Sequence, residues 1–225
     1  MPDPSDQHES QPRTWTDDLE SYRATARLCS PVVDLVSKDH WVWRWIAWGL
    51  WLCSAGRLSR QRFLRDFATT LGPLQAYPAH WPRISRALII HESRHTVQCE
   101  RLGWLVPLVG WLGRAPRAWS GLLPMGLVYL LLPLPIFFAW GRMRLELDAE
   151  NASWRIGLRE GWHTPERVRQ QAIAFADLVS GPEYLWSWPR TWTRRCFSRR
   201  AERTIAECSR LIQGTPPIGT TPRGE

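Results

Sequence analysis

His91-Glu92-Ser93-Arg94-His95 is the stretch of this chain whose residue types and spacing specify a chemistry. Residues four apart on a helix share a face, so both imidazoles can point at one metal ion. The Glu beside the first His can then take a proton from a metal-bound water. With six His among 225 residues, roughly 0.01 accidental matches to this spacing are expected. Two hydrogen-bonded core histidines are the plain alternative, and the Glu in place argues against it. A catalytic zinc site takes three protein ligands and keeps one position open for water. No third His follows at short range. Glu146 and Glu150 lie four apart in Arg142-Met-Arg-Leu-Glu-Leu-Asp-Ala-Glu150 and share a helical face with Met143 and Trp154. Glu146 is read as the third ligand. Glu150 is read as the partner that orients a ligating imidazole through its free ring N–H. Asp148 points elsewhere. An exposed acidic face paired with Arg142 and Arg144 is the competing reading of this segment.

A helix must carry the two histidines. No Pro or Gly interrupts Ile84 to Leu102. Ser85 or the Pro82 region can start a helix there, and Gly103 can stop it. Ile84, Leu88, His91, His95, Gln98 and Leu102 follow the 3.6-residue period, which places both histidines on the buried stripe.

H-E-x-x-H followed some fifty residues later by E-x-x-x-[D/E] resembles the gluzincin branch of the zincin metallopeptidases. The extended form through Gln98 is similar to that of several bacterial peptidase-like families. The resemblance covers roughly residues 60–160. It implies zinc bound by His91, His95 and Glu146, Glu92 as general base, and a peptide or protein substrate. Glu150 stands where gluzincins usually have Asp. Zincins place a small sheet before the metal-binding helix, and its edge strand holds an extended substrate. The expected fold is therefore α+β and mostly helical, with a small sheet before the metal-binding helix and a hydrophobic insertion between the ligand helices. The implied reaction also needs a donor for the tetrahedral oxyanion. His163, Tyr129 and Tyr77 are candidates that the sequence does not rank.

The chain is long enough for one sizeable core. Residues 1–16 read as a disordered tail, 17–205 as a single domain and 206–225 as a flexible tail. Net charge is +8, and Lys38 is the single lysine among 29 basic residues. Basic residues concentrate between Arg190 and Arg203. The cluster could touch acidic lipid headgroups or nucleic acid; as a solvated basic tail it needs no partner, and with no nucleic-acid motif beside it no nucleic-acid partner is expected. The five cysteines form no C-x-x-C pair, which suits neither a disulfide framework nor a second metal site. Cys99, on the His helix, reads as a small buried residue that could approach the site. Reduced cysteines and a polar, acidic N-terminus point to the cytoplasm, free or at the cytoplasmic membrane, with no cleaved signal peptide.

Along the chain, Asp17–Lys38 reads as a helix broken at Pro31. Trp41–Cys53 is a Trp-rich apolar helix, too short to span a bilayer and interrupted by Arg44, so a core or interfacial position fits. Phe63–Tyr77 reads as strand, turn, strand, and Thr164–Val179 as a helix. Within the apolar segment 104–140, residues 119–140 carry no charge. A single crossing there would put His95 and Glu146 on opposite sides of a bilayer. A hairpin dipping into the bilayer or a buried segment of a globular domain satisfies the topology, so a membrane surface is a candidate partner. The chain's Trp content favours that surface. A rival function is a non-catalytic membrane-associated protein whose metal site only pins two helices together.

Overall fold

The computed structural model describes residues 14–54, 56, 58–103, 138–181 and 189–214. A short 3-10 turn at Trp15–Asp18 leads into α1 (Leu19–Arg27). Then follow β1 (Asp34–Ser37), α2 (Trp41–Cys53), α3 (Arg60–Arg65), β2 (Thr69–Leu71), β3 (Leu74–Tyr77) and α4 (Arg86–Gly103). Three further helices complete the described chain: α5 (Phe138–Arg159), α6 (Pro165–Val179) and α7 (Arg190–Gly214). The protein is mostly helical with one small sheet that precedes the His helix.

The sheet has the order β1-β3-β2. β1 runs parallel to β3, pairing Asp34 with Leu74 and Ser37 with Tyr77. β2 runs antiparallel, pairing Thr69 with Ala76. Gly72, at φ +59°, makes the tight turn between β2 and β3, a conformation in which a Cβ would be strained. Side chains alternate across a strand, and here the alternation builds two cores. Leu35 and Tyr77 face Trp15, Ala26, Ile84 and Ile89 on the α1/α4 side. Val36 and Ala76 face Trp43, Ala47 and Phe63 on the α2/α3 side. Gln75 and Tyr77 share a face, so a buried polar chain runs from Tyr77 Oη to Gln75 Oε1 (2.9 Å) and from Gln75 Nε2 to Ser93 Oγ (2.9 Å). It fixes α4 on the sheet at a definite register. Across the other core, Lys38 Nζ donates to Phe63 O, Phe67 O and Thr69 Oγ1 at 2.6–2.9 Å. Burial pushes this ammonium down to about 7 while the Glu92 carboxylate pulls the other way.

A third core joins α5, α6 and α7 through Met143, Leu147, Trp154, Val168 and Phe197. Ala172, Ala176 and Ala201 let the helices approach closely. α5 turns into α6 at Gly161 and Thr164, whose hydroxyl caps α6 by accepting from Arg167 N. Beside that turn, His163 is buried and lies on Gly157 of α5, where any Cβ would collide with the imidazole ring. Gly157→Ala is expected to lower stability by about 1–2 kcal/mol, the overpacking cost outweighing alanine's helix preference. A denaturant midpoint equal to or above wild type would contradict this.

Four expectations need correction. Trp15 is 1 % exposed and its indole donates to Pro78 O at 2.9 Å, so residues 14–16 belong to the fold rather than to a tail. The helix read over 17–38 ends at Arg27, because Pro31 breaks it and the Val32–Val36 run then alternates as a strand. Phe63 sits in helix α3 rather than in a strand, and the strands begin at Thr69. α7 continues to Gly214 with Cys208 buried, because Ile205 and Cys208 extend the apolar stripe of Phe197 and Ala201; the tail boundary at 206 falls inside this helix. The basic run 190–203 is part of the same docked helix, and Arg190 and Arg194 both grip Asp177 of α6.

Among the described residues no helix is long and apolar enough to cross a membrane. Residues 1–13, the apolar stretch 104–137, and residues 182–188 and 215–225 lie outside the described set, so the expectations placed on them stand as such.

Candidate metal centre

α4 and α5 pack side by side, and their contacting faces carry the polar residues singled out from the sequence. α4 begins at Ser85, whose hydroxyl accepts from Leu88 N (3.2 Å). From that start, His91 and His95 fall on the face turned to α5. Both are 6 % exposed, Glu146 5 % and Glu92 7 %. Four ionisable side chains so deeply placed require partners or a bound ion.

The three nearest donor atoms form a triangle. His91 Nε2 lies 3.2 Å from His95 Nε2. Glu146 Oε2 lies 3.3 Å from His91 Nε2 and 3.6 Å from His95 Nε2. A tetrahedral ion with ligand bonds of about 2.05 Å has an edge of about 3.4 Å between ligand atoms. The triangle fits one face of such a tetrahedron. Among the described residues no fourth His, Cys, Asp or Glu joins the group.

Hydrogen bonds fix the direction of both rings. His91 Nδ1 meets Glu150 Oε2 at 3.0 Å, and Trp154 Nε1 donates to Glu150 Oε1 at 3.1 Å. A carboxylate only accepts, so His91 carries its proton on Nδ1. On the other ring, His95 Nδ1 meets Gln98 Oε1 at 2.8 Å. Gln98 Nε2 donates to Leu145 O and Asp148 Oδ2, both at 3.0 Å, which settles the orientation of its amide. His95 therefore also carries its proton on Nδ1. Both Nε2 lone pairs and a carboxylate oxygen then converge on one buried point. Three acceptors facing one another call for a cation or a shared proton. Without a metal, burial opposes charge on His91, yet Glu146 and Glu150 hold its imidazolium well above the ordinary histidine range. Burial likewise opposes the Glu146 charge, and the two imidazoles hold its carboxyl well below the usual carboxylate range. The same donor set thus suits an ion or, in its absence, protons.

Glu92 follows His91 by one residue and is turned about 100° around the helix, toward β2. Thr70 donates to Glu92 Oε2 at 2.5 Å and approaches Glu92 O at 3.3 Å. This edge-strand hydroxyl holds the carboxylate in place beside the histidines.

The sequence placed His91, Glu92, His95, Glu146 and Glu150 in one site, and the fold brings them together. It missed three supports. Gln98 had a signal, being polar on an otherwise buried stripe three residues after His95. Asp148, set aside as a ligand, takes a two-pronged contact from Arg94 (2.7 and 3.2 Å) and braces Gln98. Thr70 had none, because its partner is distant in sequence. Of the oxyanion candidates, Tyr77 is fully buried and spends its hydroxyl on Gln75, which removes it. His163 is buried against Gly157 with neither ring nitrogen hydrogen-bonded. Tyr129 lies outside the described residues. Cys99 packs with Val32 and Leu102, and burial pushes its thiol up to about 11.

A cavity of about 450 Å³ opens on the far side of Gln98, lined by Arg101, Trp140, Arg144 and Arg200 among others. It touches the residues that hold His95 but neither histidine, so it is separate from the His91-His95-Glu146 cluster. Gln98→Leu keeps the volume and removes both the acceptor for His95 and the bonds to α5. It is expected to weaken metal binding roughly 10- to 100-fold, read by chelator competition; unchanged affinity would mean that Gln98 does not set the ring. The chain matches no family model, no curated protein and no solved structure.

Proposed function

We propose that this protein is a zinc-dependent metallopeptidase of the gluzincin kind, hydrolysing peptide bonds in a substrate still to be identified. The observation that carries the reading is the 3.2–3.6 Å triangle of His91 Nε2, His95 Nε2 and Glu146 Oε2, with Glu92 held alongside by Thr70. Two imidazoles and a carboxylate are a borderline-soft set suited to zinc. A bound zinc ion would supply Lewis acidity toward the scissile carbonyl and an acidified water.

The chain's own residues do the rest. His91, His95 and Glu146 bind, and Glu150 and Gln98 aim the two rings. Glu92 accepts a proton from the attacking water on its carboxylate and returns it to the departing amine. Thr70 keeps the other demands on that carboxylate fixed, so the general base does not wander. Three protein ligands rather than four among the described residues favour a catalytic site over one that only pins helices, since structural zinc sites are closed by four. The zincin likeness of the fold rests on the order of parts: a small sheet, then the His helix, then the Glu helix.

The test is hydrolysis of quenched-fluorescence peptide libraries by the zinc-loaded full chain, with and without chelator. Turnover lost on chelation and restored by zinc supports the reading. Zinc bound at stoichiometry without cleavage of any library would favour the helix-pinning role.

A further inference from the structure

Apart from Arg44, α2 is apolar around its circumference, and only half of it is covered. At about 100° per residue, Trp43, Ala47 and Leu50 form one stripe, which packs on Phe63 and Ala76 over the sheet. The opposite stripe is Trp41, Trp45, Trp48 and Leu52, which are 61, 65, 45 and 57 % exposed. Trp51 flanks it at 39 %. A helix apolar on every side is normally buried on every side. Bare patches of large apolar side chains mark interaction sites rather than ordinary surface.

The charges around the stripe select the partner. Residues 41–65 contain five arginines and no acid. Arg44 lies between Trp48 and Trp51 around the helix, at the edge of the stripe, and is exposed, as are Arg60, Arg62 and Arg65 of α3. Arg60 stands 5.5 Å above the Trp51 ring, and Arg62 has Asp66 at 3.7 Å. Tryptophan is the side chain that best tolerates the boundary between headgroups and acyl chains. A Trp-lined apolar face rimmed by guanidiniums matches an anionic bilayer surface on both counts.

We propose that the exposed face of α2 docks this protein in the plane of an anionic lipid bilayer, with Trp41, Trp45, Trp48 and Leu52 in the interface and Arg44 and Arg60 among the headgroups. This anchor is independent of the metal centre and holds whichever chemistry α4 and α5 perform.

The experiment is flotation of the full chain with vesicles of phosphatidylcholine alone and of phosphatidylcholine mixed with phosphatidylglycerol, beside a Trp45→Ser/Trp48→Ser variant and an Arg44→Glu/Arg60→Glu variant. All four positions are exposed, so both variants should keep the wild-type circular dichroism and thermal midpoint. The expected result is preferential binding to the anionic vesicles, lowered roughly tenfold or more by either pair of changes and weakened by salt in the wild type. Equal flotation of wild type and both variants would overturn the proposal, placing membrane binding elsewhere in the chain. A wild type that binds neither vesicle would also overturn it. If that protein were a dimer dissociated by the tryptophan changes, a second copy would be the occupant; if a monomer, another protein or the chain itself would be.

Discussion

Glu92→Gln is expected to abolish peptide hydrolysis while leaving the metal bound. The amide has the carboxylate's shape and an oxygen that can still accept from Thr70, so α4 keeps its place against β2. It cannot hold the proton taken from water. Loss of a positioned general base slows such reactions by about 10²–10⁴-fold. The side chain is 7 % exposed; the amide keeps its volume and its bond from Thr70, and Lys38, whose charge Glu92 favours, keeps its own three acceptors. A rate loss with unchanged metal content and unchanged thermal midpoint therefore isolates chemistry from folding. Activity surviving this change would end Glu92's role as base. Loss of metal would mean that Glu92 is itself a ligand.

Glu146→Ala is expected to lose the metal, with affinity lower by well over the roughly hundredfold range typical of outer-shell changes. The neighbouring acid cannot substitute. Glu150 Oε2 sits 3.0 Å from His91 Nδ1, on the opposite side of the ring from Nε2, and its other oxygen is taken by Trp154. Recruiting it would require turning the ring and abandoning the indole. Chelator competition on the folded variant reads the effect directly. Near-normal affinity would move the third ligand elsewhere and would undo the tetrahedral fit.

Two periodicities make most of the site legible in the amino-acid sequence. The 3.6-residue stripe places His91 and His95 together on one helix, and the four-residue spacing of Glu146 and Glu150 places ligand and orienting partner together on another. Both are local, which is why they survive the passage to three dimensions. Thr70 is not legible, because its bond to Glu92 depends on how β2 packs on α4 rather than on spacing. β1 reads as helix because Val32–Val36 is too short to display its alternation against the helical segment before it. Its pairing with β3 spans forty positions. The end of α7 is misplaced for a different reason. Its last apolar positions, Ile205 and Cys208, are separated by polar residues that read as a solvated tail until α5 and α6 supply the surface they cover. The exposed half of α2 shows the converse. The sequence leaves a core or an interfacial position open for this helix, and the fold buries one face, with Trp43, and exposes the other, with Trp45.

Whether His91, His95 and Glu146 hold a metal is read from the metal content of the purified full chain by elemental mass spectrometry, measured beside His95→Ala and Glu146→Ala. About one zinc per chain is expected in the wild type and none in either variant, each variant keeping its helical circular dichroism. A folded wild type that holds no metal after incubation with zinc would contradict this. The convergence of His91, His95 and Glu146 would then be a proton-sharing core cluster, and no peptidase chemistry could be built on it.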